Sequence, residues 1–240
     1  MNQQKQKGRF GKVYWFAGGI LVLFAGLVGA WYYAADLLES QLADLSDAVR
    51  NGGGSFRCEE SSVRGFPFRI GLFCNHVFYD DPKQEMRVST GALRSAAQLY
   101  RPGHLVAEVD SPAGIRLPML APLRLDWKSL RTSTNLSTSG LNRVSLEVAS
   151  LDVSADDAGF LSLLGRIGKL EAHARQAPAR GDDDLQLALS ADDWQIGDPK
   201  MTPIVPVDLN FAVIVEDLLP VFLNGGDPLP IIRQRGGSAI

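Results

Sequence analysis

Two cysteines, Cys58 and Cys74, carry the most readable chemistry in this chain. Phe56 and Cys58, then Phe66, Phe68, Ile70, Leu72 and Cys74, share one parity, the period-two alternation of a half-buried strand. A hairpin loop at Gly65, Phe66 and Pro67 would set Arg64 opposite Phe68 and bring Cys58 directly across from Cys74. Such a pair closes in an oxidising compartment, and a loop this short is worth roughly 3 kcal/mol through the chain entropy removed from the unfolded state. Two buried free thiols are the alternative. A metal site is not expected, because no CxxC pair or nearby histidine cluster completes a ligand set.

Other reactive side chains lead to little. His76, His104 and His173 fall on or beside separate predicted strands and read as packed or surface residues. Asp182, Asp183 and Asp184 offer carboxylates for Ca²⁺, but the spacing lacks the alternating donors and closing Glu of an EF-hand, so the segment reads as a solvated acidic turn. The chain contains no GxSxG elbow, P-loop or HExxH motif. No enzymatic activity, metal or cofactor is therefore expected. Arg64 and Arg69 have two readings. A guanidinium binds phosphate in bidentate fashion, which would make them lipid-headgroup contacts; the simpler reading makes them outward strand residues or partners of Glu59 and Glu60 across the hairpin.

The elements that must position these residues begin with one uncharged apolar run, Val13 to Ala35. About 20 apolar residues suffice to cross a hydrocarbon core of ~30 Å. Lys5, Lys7, Arg9 and Lys12 precede the run and Asp36, Glu39, Asp44 and Asp47 come after it, so residues 1–12 are expected in the cytoplasm and the rest beyond the inner membrane. Trp15, Phe16, Leu21, Leu23, Phe24 and Leu27 would face lipid, with Trp31, Tyr32 and Tyr33 as an outer aromatic belt. A cleaved secretory signal competes, since Val28 and Ala30 are spaced like a peptidase site. The run, however, exceeds the roughly 7–15 residues of a signal core. Leu37, Leu38, Leu42, Leu45 and Val49 recur at helical spacing, so an amphipathic stalk is expected over 36–50, ended by Asn51 and Gly52 to Gly54.

Only four of the 24 basic residues precede the run, leaving 20 against all 27 acidic ones, a net charge of −7 beyond it with histidine neutral. An acidic exterior makes a poor nucleic-acid binder, because phosphate contacts supply most of that affinity. It also argues against lying flat on anionic headgroups. Residues 51–240 are long enough for a sizeable core and read as β-rich. Glu85 to Ala97, Leu105 to Asp110, Leu123 to Trp127, Val144 to Val153, Leu170 to Arg175, Leu185 to Ala191 and Asp208 to Val215 are short alternating runs, most of them set off by Pro, Gly and Asp breakers. Phe160 to Ile167 fits a short helix or a strand equally, 176–184 reads as a loop, and Asp217 to Phe222 as one helical turn.

Arg64-Gly65-Phe66-Pro67-Phe68-Arg69, placed after a single N-terminal apolar helix and followed by Asp81-Pro82, resembles the signature of the DUF2125 family of uncharacterised alphaproteobacterial envelope proteins. Leu99-Tyr100-Arg101-Pro102, Leu125-Asp126-Trp127 with Leu130, and Leu170-Glu171-Ala172-His173-Ala174-Arg175 fit the same pattern, over about residues 10 to 235. The resemblance implies an envelope location and a β-rich periplasmic domain with a curved sheet, distantly similar to AsmA-like proteins implicated in lipid traffic. It brings no catalytic residues. Members of the family continue past the position of Gly236-Gly237, whereas this chain stops at Ile240, so either a short member or a truncated product is expected, and truncation would leave a sheet edge unpaired.

Two functions are compatible with these features. In one, an apolar concave sheet face handles phospholipid beside the membrane. In the other, the domain is an envelope assembly or scaffold factor that binds another protein through a sheet edge.

Overall fold

The computed structural model describes residues 7–137, 140–157, 160–176, 184–197, 205–215 and 238–239. One helix, α1 (Lys7–Gly52), runs unbroken through the apolar segment and the stalk and stops where Gly53 takes a φ of 94°. Among the described residues, fifteen strands then form one mixed-length antiparallel sheet, curved into a half-barrel. The first eight are β1 (Ser55–Glu59), β2 (Ser62–Arg64), β3 (Arg69–Cys74), β4 (His76–Asp81), β5 (Met86–Thr90), β6 (Leu93–Gln98), β7 (Arg101–Val109) and β8 (Ala113–Arg116). The other seven are β9 (Leu123–Asp126), β10 (Ser129–Ser137), β11 (Gly140–Asp157), β12 (Phe160–Gln176), β13 (Leu185–Ile196), β14 (Val207–Val215) and β15 (Ser238–Ala239).

The pairing shows that many of these strands are halves of longer ones. β3 pairs β6 while its continuation β4 pairs β5; β6 and β5 pair β7 and β8; β10 and β9 lie end to end along one side of β11. The sheet is thus a meander of long strands crossed by a seam, which passes through Glu60, Asn75, Gly91, Ser111, Trp127, Ser150, Gly168 and Asp193. Glu60, Ser150 and Asp193 have φ of 50°, 54° and 54°, the left-handed geometry of an inserted residue. Backbone bonds stitch the seam: Asn75 N–H to Glu59 O at 2.8 Å, Asp110 N–H to Ala92 O at 2.8 Å and Lys128 N–H to Ala149 O at 2.9 Å.

An extra residue in a strand reverses the parity of everything after it. The sequence compensates. Apolar residues on β11 run Val144, Leu146, Val148, then jump three to Leu151, Val153 and Ala155; on β13 they run Leu187, Leu189, Ala191, then Trp194 and Ile196. The jump keeps one face apolar through the bend. Across strands, Cys74, Leu93, Val109, Leu130, Val148, Leu170, Ala191 and Leu209 are successive register partners. Beyond the seam, Cys58, Val77, Thr90, Ala113, Leu125 and Val153 form the matching row.

Cys58 and Cys74 are joined in a disulfide with Cα atoms 5.2 Å apart, so the two rows lie on the same face. The simple hairpin register is corrected, however. Cys58 pairs Val77 rather than Cys74, and Arg64 pairs Gly71 rather than Phe68, because the loop spans 65–68 and the chain bends at 60–61. The sulfurs meet across the seam, not across a ladder. Phe160 to Ile167 belongs to the strand β12 and not to a helix. Glu85 to Ala97 is two strands, parted at Gly91, where an added Cβ would meet the Asp110 carbonyl oxygen at 2.6 Å. The 177–183 part of the expected loop and Asp217 to Phe222 lie outside the described residues.

Among the described residues, the only element packed on the sheet besides neighbouring strands is α1, which touches β1, β2 and β3. Its lower end is held by Lys83 Nζ, donating to Gly52 O at 2.6 Å, and its upper contact is Trp31, whose Nε1 donates to Arg69 O at 2.8 Å. From Trp31 to Gly52 a helix rises ~32 Å, and the chain from Ser55 to Arg64 spans ~30 Å as strand. Helix and sheet edge therefore run side by side over the full strand length, and the apolar half of α1 projects beyond the sheet.

Candidate functional site

The feature with the most chemical content is the apolar face. Val148, Ala113 and Ala191 are only 4%, 5% and 3% exposed although no described layer is stacked on them, which is what converging side chains on the inner side of a curve produce. Its most enclosed part is Leu185 with Val215, bordered by Val144, Leu187 and Val213. Leu105, Leu189, Leu209 and Phe211 on the same face remain exposed, at 38% to 53%. A row nearer the upper end, Ile70, Ala97, Leu105, Thr134, Val144, Ala174, Leu187 and Val213, carries one hydroxyl among seven apolar groups. Along the helix-bearing edge, Leu42, Ala43 and Ser46 of α1 face Phe56, Val63 and Leu72 across an open cleft of 580 Å³. Glu39, Arg50, Arg57 and Glu59 also line this cleft, so the helix walls the first edge of the sheet with apolar and charged groups together.

The opposite face is charged. Arg94, Glu108, Arg131, Glu147 and Glu171 are consecutive cross-strand partners. Arg94 binds Asp110, Arg131 reaches Glu108 at 2.8 Å, and Arg166 reaches Asp152 at 2.6 Å. The hydrogen bond to Asp110 raises the Arg94 pKa further, and Lys169 Nζ, 2.7 Å from Glu171, holds that carboxyl below its ordinary range. A second cleft of 610 Å³ lies on this polar side near Ser89 and Gly114, where Arg87 and Arg124 are already paired with Asp80 and Asp126.

The upper end of the sheet holds the RGFPFR segment. Gly65 has a φ of 114°, and a Cβ there would meet the Arg69 carbonyl at 2.8 Å, so the tight turn requires glycine. Phe66 meets the Trp31 ring edge-on at 5.5 Å, leaving Phe66 and Phe68 49% and 58% exposed. Trp31 is 9% exposed, so it is a packing residue between helix and turn and not a free member of an aromatic belt; Tyr32 and Tyr33 stay exposed. Trp15, Phe16, Leu21, Leu23 and Phe24 are likewise exposed, and Leu27 half so. Arg64 does not pair with Glu59 or Glu60: its Nε donates to Ser62 Oγ at 3.0 Å and its guanidinium lies 5.1 Å from the Phe73 ring centroid, while Glu60 bonds Asn75 and Glu59 sits 3.6 Å from His76.

His76, His104 and His173 lie on β4, β7 and β12, and no cluster of three or more His, Cys, Asp or Glu suited to a metal occurs among the described residues. The row structure of the apolar face escapes a reading of each run alone. The signal that finds it is the three-residue jump in apolar spacing.

Fold and surface together define a class: a curved antiparallel sheet with one apolar face, tied along its first edge to a helix long and apolar enough to cross a membrane. The chain belongs to the DUF2125 family, whose model, described as an uncharacterized protein conserved in bacteria, matches residues 31–219. No curated protein and no solved structure matches it. The matched region begins at Trp31, the residue where helix and sheet first touch.

Proposed function

We propose that this chain is a non-enzymatic lipid-handling protein of the cell envelope, anchored by α1 in the inner membrane with the sheet on the periplasmic side. The observation that carries this reading is the apolar inner face, continuous across successive strands and through the seam, with large side chains such as Leu189 and Phe211 left open. Acyl chains are the ligands that gain most from such a surface, at about 25 cal/mol per Å² of apolar area removed from water. The test is mass spectrometry of lipid extracted from the purified full chain, compared with a Leu146→Glu, Leu189→Glu variant. Phospholipid beyond the amount retained by the variant is the expected result. Equal lipid in both, with the sheet intact by circular dichroism, would sink the reading.

A second reading, a scaffold that binds a protein by adding a strand, has its own support. On the outer edge of β14 only Val213 and Ile214 find partners among the described residues, and Val207, Leu209 and Phe211 are 57%, 40% and 53% exposed. It predicts a stable protein partner in mild detergent that a proline at Leu209 releases; a complex indifferent to that proline would exclude it.

A further inference from the structure

The RGFPFR turn occupies the level at which the sheet ends and the uncovered apolar part of α1 begins. We propose that this turn, 65–68, and the adjoining β6–β7 turn, 99–100, seat in the outer interface of the bilayer that α1 crosses, so that the apolar face of the sheet opens toward that leaflet. The inference rests on reading α1 as a retained anchor and deepens the lipid-handling proposal.

Three observations support it. First, the height of the turn is set by the helix: Trp31 donates to Arg69 O at 2.8 Å and packs edge-on against Phe66, immediately before the exposed Tyr32 and Tyr33. Leu99 N–H donates to Phe68 O at 2.9 Å, which brings the second turn to the same level. Second, the side chains at these tips are aromatic and open: Phe66, Phe68 and Tyr100 are 49%, 58% and 71% exposed. Aromatic rings with one wet side are the groups that favour the headgroup region.

Third, three exposed arginines gather at this end beside the aromatic tips; like Arg57, Arg116, Arg143 and Arg175, and unlike five arginines of the polar face, they hold no carboxylate among the described residues. Arg87, Arg94, Arg124, Arg131 and Arg166 each hold an Asp or Glu. Arg64, Arg69 and Arg101 are exposed at the turn-bearing end and have no carboxylate partner among the described residues. Three guanidinium groups beside three aromatic rings match the phosphodiester layer over the acyl boundary. The domain's net negative charge then works with this arrangement, because it disfavours lying flat and leaves the arginine-bearing end to face the lipid.

The experiment uses the full chain in nanodiscs of phosphatidylethanolamine and phosphatidylglycerol. Both native cysteines are bonded, so Phe68→Cys, Tyr100→Cys and, at the far end of the sheet, Met119→Cys each introduce one labelling site. An attached fluorophore is read against headgroup-level spin-labelled lipid. Quenching several-fold stronger at 68 and 100 than at 119 is expected, and it should weaken when Arg64, Arg69 and Arg101 are changed together to Gln. Quenching at 68 and 100 no greater than at 119 overturns the proposal. The Leu146→Glu, Leu189→Glu chain should quench normally, so loss of bound lipid and loss of membrane seating are separate outcomes.

Discussion

Lys169 and Glu171 lie two residues apart on β12 and so project from the same face, where their charges meet at 2.7 Å. The hydrogen bond from Lys169 lowers the Glu171 pKa more than its slight desolvation raises it. A carboxyl whose folded pKa lies below its unfolded value, about 4.3, contributes stability above that pH and loses it as pH falls toward the folded value. Both groups are solvent-accessible, so the stability at stake is small. The measurable consequence is titration: in Lys169→Met the Glu171 carboxyl, tracked by carbon-13 NMR, should titrate at higher pH than in the parent chain. An unchanged titration would mean the contact does not persist in solution. Arg64 shows where residue-level reading stops. Its charge and spacing suggested a carboxylate partner, but the bend at 60–61 carries Glu60 toward Asn75 and leaves Arg64 over Phe73.

At the scale of elements, the seam is the deciding device. A straight strand of the length of β11 would hold its alternation over 18 residues, yet Ser150 takes φ 54° and shifts the parity of Leu151 and every later residue of the strand. That left-handed conformation costs an L-residue ~1–2 kcal/mol and a glycine little. Ser150→Gly should therefore leave stability unchanged or slightly raised, whereas Ser150→Val should lower it by ~1–2 kcal/mol in urea titration, since β-branching deepens the strain. Equal stability of the two variants would mean that the inserted residue is not the hinge. The runs Val144 to Val153 and Glu85 to Ala97 were legible as strands, but their breaks were not, because each break looks like an ordinary irregularity until neighbouring strands repeat it at matching heights. Trp31 is a second case: its place near the end of the apolar segment reads as part of an aromatic belt, while its partner, the Arg69 carbonyl, is 38 residues away.

For the whole molecule, the Cys58–Cys74 bond ties the row below the seam to the row above it at the edge where α1 lies. Its closure is worth ~3 kcal/mol for a loop of this length. Reductant should lower the urea midpoint of the full chain accordingly, and an identical midpoint with and without reductant would show that the sheet does not depend on it. The sequence by itself determined the apolar helix, the sign of the charge beyond it, the β class, the cysteine pair and the family motif, because each of these is written in composition, in period or in a short contiguous string. Tertiary structure alone decided that the half-strands align into one bent sheet, that their apolar residues form a single inner face, and that the RGFPFR turn rests against Trp31. Those facts depend on register between segments far apart in the chain, and register is chosen by the pairing of whole strands, a property no single run of residues contains.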